Sequence, residues 1–212
     1  MGRVRDGDRP RRRHGQRDGE HGVIALGGVQ DSTTSQTRIF GLQSALKNHP
    51  NVKLLEVDYA DWDPQKAFAK TQALIAKYGD QITGIWTADD GMQLGAIEAV
   101  EKSPLKGQVK FVSDGLYPPT MEIMQKPGNP IVGETGHRGW AASAIGLYTG
   151  YLAATGQIDP STLPHEKRDS IFKISCITPD TLAQYTALDT SMSKLSGLSS
   201  YVSAQLAALN NK

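Results

Sequence analysis

From residue 23 onward, short apolar runs alternate with segments of helical period. "VIALGG" (23–28) is a continuous apolar run closed by glycines and reads as a buried strand. In "DSTTSQTRIFGLQSALKNH" (31–49), Asp31 to Ser35 offer N-cap side chains, and Ile39, Leu42 and Leu46 follow at helical spacing. "NVKLLEVDY" (51–59) predicts a strand, and 63–79 a helix with Pro64 in its first turn and Gly79 at its C-cap. The pattern continues with strands at 82–87, 108–115 and 130–135, and helices at 89–102 and 118–126. Beyond them come a long Ala-rich helix (138–156) and a strand (169–178). Two C-terminal helices follow, with Pro179 at a start and Gly197 as a break.

Strands alternating with helices of about 10–15 residues predict an α/β fold: a doubly wound parallel sheet with helices on both faces. The C-terminal helices are an addition to it. Such sheets bind ligands at the carboxyl ends of their strands. That rule selects Gly28–Ser32, Tyr59–Asp63, Ala88–Gly91, Ser113–Leu116 and Glu134–Arg138, where Asp61, Asp89, Asp90, Asp114, Glu134, His137 and Arg138 gather. Arg38 lies about two turns into the first helix.

Composition changes the picture mainly at the N-terminus. The 212 residues carry a net charge of +1, which argues against a general nucleic-acid binder. Residues 1–21 hold seven arginines against four acids, +3, which leaves −2 for the rest. That segment has almost no apolar residue and no period, so residues 1–22 are expected to be a disordered basic leader. It has no apolar signal-peptide core. The expected divisions are then 23–135, a ligand-binding lobe, and 136–212, a crossover helix, return strand and terminal helices. The single cysteine, Cys176, excludes an internal disulfide and a cysteine-based zinc cluster. Its strand-like flanks predict a buried, inert thiol. No apolar run approaches the ~18 residues of a membrane span.

The adjacent acids Asp89 and Asp90 open the third helix. Asp90 precedes the apolar-periodic run and is read as its cap. Asp89 divides between a ligand contact and a cap. Asp114 before Gly115 reads as a turn residue or a ligand contact. Arg38 reads as a surface ion-pair partner or a ligand contact, and Glu134 as a hinge surface group or a ligand contact. Trp62, Trp86 and Trp140 could stack on a sugar ring, with packing the plainer reading of Trp86 and Trp140. No cofactor or metal is expected. "GGVQDSTT" does not fit G-x-G-x-x-G, no P-loop or G-x-S-x-G elbow is present, and the carboxylates lie on separate strand ends. An enzyme is therefore not expected.

Four segments in order resemble the ribose-binding-protein-like periplasmic sugar-binding proteins of ABC importers. "WTADDGMQLGAIEAV" is similar to their "NDxMALGAxxA", "SQTRIFGLQSAL" to "RxxGFxxAL", "KFVSDG" to "VVGFDG", and "PIVGETGHRGWAASAIGLYTGYL" to "ATVAQxPxxxGxxA" with its following helix. Together they cover roughly 23–178. The resemblance implies a two-lobed, hinge-closing, non-enzymatic receptor. Arg38 and Asp114 would match ligand-binding residues. Asp89 would stand where the family has Asn, and Glu134 where many members have Gln, so the half-site is more acidic than usual. The implied partners are a sugar or polyol and the permease subunits of an importer, with neither nucleic acid nor membrane insertion. The implied location is the periplasm. Most of the family's N-terminal lobe is expected to be absent, so helix 138–156 should bare an apolar face and the chain should self-associate.

The chemistry agrees. A carboxylate accepts from neighbouring sugar hydroxyls and an arginine fork donates to two oxygens, so Arg38, Asp89 and Asp114 could grip one polyol face, with Glu134 a further acceptor. The alternative is the effector domain of a lac-repressor-like regulator. That reading needs a helix-turn-helix, which residues 1–21 do not supply.

Overall fold

The computed structural model describes residues 20–136, 139–164 and 175–194. Expectations for the leader, His137, Arg138, the Trp140 side chain, strand residues 169–174 and Gly197 lie outside the described residues. The strands are β1 (His21–Gly27), β2 (Val52–Tyr59), β3 (Ile82–Thr87), β4 (Lys110–Gly115), β5 (Ile131–Gly136) and β6 (Ser175–Ile177). The helices are α1 (Thr33–Leu46), α2 (Pro64–Tyr78), α3 (Asp90–Glu101), α4 (Pro118–Met124), α5 (Gly139–Ala154) and α6 (Pro179–Lys194). The first strand starts at His21, which pairs with Val52, two residues before the apolar run signalled it. His21 and Gly22 carry no apolar signal of their own.

The strands form one sheet in the order β2-β1-β3-β4-β5-β6. The first five are parallel, and β6 is antiparallel to β5 at the edge. The chain leaves β1 for β2 on one side and then crosses to β3 on the other. The switch in direction, where such sheets open a crevice, therefore lies between β1 and β3.

Strand alternation sorts the side chains. Ile24, Leu26, Ile85, Phe111, Ile131 and Ile177 are at most 4% exposed and join one core with Ala67, Leu74, Met92, Ala96, Met124 and Leu182 from the covering helices. The other face carries α1 over β1, with Ser35 and Ile39 buried. Among the described residues, no helix covers that face over β4 to β6. Val112 is 38% exposed, and Cys176, expected to be buried, is exposed. In the described part of the edge strand Ile177 takes the buried side, which leaves Cys176 facing out.

Helix α2 starts as its sequence dictates. Asp63 caps it by accepting from the Lys66 amide at 2.8 Å, Pro64 fills the first turn, and Gly79 at φ 55° ends it. It packs closely against α3 through Gly95, where an added Cβ would stand 2.0 Å from the Pro64 carbonyl oxygen. Neither backbone can yield easily. Gly95→Ala is therefore expected to cost about 1–3 kcal/mol, read as a lower thermal midpoint. An unchanged midpoint would show that the crossing is looser than this contact.

Candidate functional site

The loops after β1, β2, β3 and β4 converge on an open cleft of about 290 Å³ beside the switch point. Ser32, Thr34, Arg38, Trp62, Asp89, Asp90, Asp114, Gly115 and Tyr117 line it. Arg38 organises this cleft. Its Nε pairs with Asp114 Oδ2 at 2.7 Å, and its Nη1 donates to the Ala88 carbonyl at the end of β3. Thr135 on β5 donates to the other Asp114 oxygen. One guanidinium thus ties α1 to the carboxyl ends of β3 and β4, and one carboxylate extends the chain to β5. The pair is largely shielded, with side-chain exposures of 25% for Arg38 and 16% for Asp114. The fork geometry of arginine suits this bridging better than a point charge.

Trp62 forms one wall, and the guanidinium carbon of Arg38 sits 5.7 Å from its ring centroid. The Trp62 ring also lies against Gly28, where a Cβ would meet it at 2.0 Å, so only glycine fits at the end of β1. Asp61 and Trp62 both hold positive φ, 54° and 61°. This conformation is uncommon for bulky residues and concentrates at binding sites. The exposed ion pair Lys66–Asp61, 2.7 Å, braces the same loop.

Asp90, expected to cap α3, does not, and of the two expected readings of Asp89 the cap holds. Asp89, not Asp90, caps α3, accepting from the Met92 amide at 2.7 Å, and it also reaches the cleft. Asp90 is fully buried. Its Oδ2 accepts from the amides of Leu116 and Tyr117 and from the Thr120 hydroxyl, so it fixes the β4–α4 turn. The reason is that the turn after β4 brings two free N–H groups over the first turn of α3, and only the acid inside the helix faces them. Burial raises the Asp89 pKa above the usual carboxylate value, and the neighbouring Asp90 charge adds to this. The Met92 amide and Arg38 oppose it.

Glu134 departs from its expected place. It is 0% exposed and does not line the cleft. Its pairing with Ser113 turns it to the α3 side of the sheet, while Thr135 takes the Asp114 side. There it meets Gln93, also 0% exposed, and none of the four polar side-chain atoms of the two residues has a partner in full hydrogen-bond geometry. Burial pushes the Glu134 pKa up to about 8. The charges of Asp90 and Asp114 act in the same sense, and the nearby Gln93 amide opposes them. Glu134 is therefore predominantly protonated at neutral pH.

The structure thus brings Arg38, Asp89 and Asp114 together with Trp62, one of the three tryptophans offered for stacking. Thr34 and Tyr117 were not singled out from sequence. Both are short-range signals: Thr34 follows the Ser32 N-cap position of α1, and Tyr117 occupies the N-cap position before Pro118. Among the described residues there is no group of three or more potential metal ligands, and no helix is long and apolar enough to cross a membrane.

Comparison with known proteins places this geometry. The D-ribose/D-allose-binding protein of Pseudomonas aeruginosa is 30% identical over 150 residues, 70% of this chain and 43% of that protein. The xylitol-binding protein of Mycolicibacterium smegmatis is 29% identical over 103 residues, 46% of this chain and 29% of that protein. Among solved structures, a twin-arginine translocation pathway signal protein from Burkholderia phytofirmans superposes with a TM-score of 0.75 at 33% identity, covering 82% of this chain and 53% of that one. A solute-binding protein of an ABC transporter from Actinobacillus succinogenes, with bound D-allose, shares the fold with a TM-score of 0.70 at 20% identity, covering 79% and 56%. The chain spans less than half the length of these curated relatives and just over half of these solved structures. Residues 13–146 match the periplasmic binding protein domain, and the chain belongs to that family of binding proteins.

Proposed function

We propose that this chain forms one wall of a sugar- or polyol-binding cleft in the solute-binding component of an ABC importer. The observation that carries this reading is the Arg38–Asp114 pair, held at the switch point beside Asp89 and under the Trp62 ring. Polyols present alternating donors and acceptors on a partly apolar ring or chain. A carboxylate accepts from adjacent hydroxyls, a guanidinium donates to oxygens, and an indole face covers C–H groups. The ligands for which the relatives are named, ribose, allose and xylitol, are of this chemical class. The regulator alternative gains no support from these relatives. By family, the working location is the periplasm and the downstream partner is a permease. The family is one of binding proteins, which supports recognition as the role.

A thermal-shift screen with pentoses, hexoses, linear polyols and inositols tests the reading. Stabilisation by at least one of these classes, lost in Asp114→Asn, is expected. A folded chain that none of them stabilises would count against a competent site.

A further inference from the structure

The charges lining the cleft do not balance. Among the described residues, Arg38 is its one lining cation, against Asp89, Asp90 and Asp114, a formal −2. The guanidinium is committed to Asp114 at 2.7 Å, so that pair cancels. Lys66, on the first turn of α2, is held by Asp61. The two adjacent acids are left over. Asp89 accepts from the Met92 amide, a neutral donor, and reaches the cleft. Asp90 is 0% exposed, and its Oδ2 also takes only neutral donors, two amides and the Thr120 hydroxyl. Its Oδ1 has no partner at all. This carboxylate lies directly against Gly115, which lines the cleft. An added Cβ on Gly115 would stand 2.3 Å from Asp90 Oδ1, so no side chain screens the charge at that point. A buried charge is ordinarily paired or coordinates a metal. Among the described residues no third metal ligand joins these two acids. The missing countercharge is therefore one that a ligand can bring.

Resting on the polyol reading of the cleft and narrowing its class, we propose that the ligand is an amino sugar or amino polyol whose ammonium sits beside Asp89 and over Gly115, against the Asp90 charge. Its hydroxyls then meet the Arg38–Asp114 pair, and its C–H face meets Trp62. An ammonium brings three donors and no acceptor, which suits a corner built from acceptors alone. Its bond to Asp89 is charge-assisted and roughly twice as strong as that of a hydroxyl. The Asp90 charge acts without contact, because its shielded surroundings carry a field farther than water does. The same field repels a second anion, so uronic acids and sugar phosphates are rejected.

Titration of the full chain with matched ligands tests it. Glucosamine, galactosamine and glucamine are compared with their neutral parents D-glucose, D-galactose and sorbitol, and with N-acetylglucosamine and glucuronate. At least one amine should bind about tenfold more tightly than its parent. N-acetylation, which removes the charge, should abolish that advantage, and glucuronate should bind more weakly than D-glucose. Asp89→Asn keeps a side-chain acceptor for the Met92 amide, so α3 stays capped. It should bring the affinities of amine and parent to within about threefold of each other. Neutral parents that bind as tightly as every amine overturn the proposal and leave the polyol reading in place. An amine preference that Asp89→Asn leaves unchanged overturns the assignment to this acidic pair. If neither amines nor parents bind, the proposal and the polyol reading fall together.

Discussion

Arg38→Ala is expected to abolish measurable polyol binding and to lower stability in the same protein. The first effect follows because the guanidinium is the only cation lining the cleft among the described residues, beside Asp89, Asp90 and Asp114. A charge-assisted hydrogen bond contributes about 1.5–3 kcal/mol, so losing a two-oxygen grip corresponds to about 100-fold or more in affinity. The second effect follows because Arg38 bridges Asp114 and the Ala88 carbonyl. Its removal takes the guanidinium away from a mostly shielded carboxylate, at a cost of about 1–3 kcal/mol. Arg38→Lys separates the two. It restores positive charge but not the fork, so stability should recover more than affinity. Calorimetric titration and thermal melting of both variants check this. Equal affinity in wild type and Arg38→Ala would remove Arg38 from the site.

Glu134→Gln is expected to stabilise the protein, and the gain should grow with pH. In the folded state Glu134 has a pKa of about 8, against an ordinary value of 4.5. Between those values the folded chain holds a proton that the unfolded chain has released. Stability is therefore lost as pH rises from about 4.5 to about 8 and levels off above that. The span corresponds to a few kcal/mol at most, at 1.36 kcal/mol per pKa unit. A glutamine has no charge to desolvate, and it can pair with the amide of Gln93. The variant should thus melt at a temperature similar to wild type near pH 4.5 and several degrees higher at pH 8. Parallel melting curves across that range would mean that the carboxyl finds a partner or water in solution.

Much of this fold was legible because its physics is local. Parallel strands buried on both faces read as unbroken apolar runs, as in "VIALGG" and "ITGIWT", and Pro64 and Gly79 bracket α2 through their own backbone constraints. Four of the five loops that the strand-end rule selected line the cleft, since the order of crossovers fixes where the crevice opens; Glu134, in the fifth, does not. What was not legible depends on partners distant in sequence. Asp89 and Asp90 are chemically identical, and Asp90 is drawn away from the cap by the amides of Leu116 and Tyr117, 26 and 27 residues beyond it. The side of the sheet that Glu134 faces depends on an irregularity between Phe111 and Val112, which shifts the register of β4 against β5. Cys176 sits in an apolar context yet faces out, because no described helix covers its side of the edge strand.

The central claim is that the β1–β3 switch point, lined by Trp62 and Arg38, is where this chain meets a polyol. A ¹H–¹⁵N correlation titration with xylitol, D-ribose, D-allose and myo-inositol tests it most directly, because it locates even weak binding. The account predicts that at least one of them shifts the Trp62 indole N–H and the amides of Asp89 to Gly91 and Asp114 to Tyr117, and that Arg38→Ala removes those shifts. An unperturbed spectrum, or shifts confined to residues away from this cleft, would contradict it.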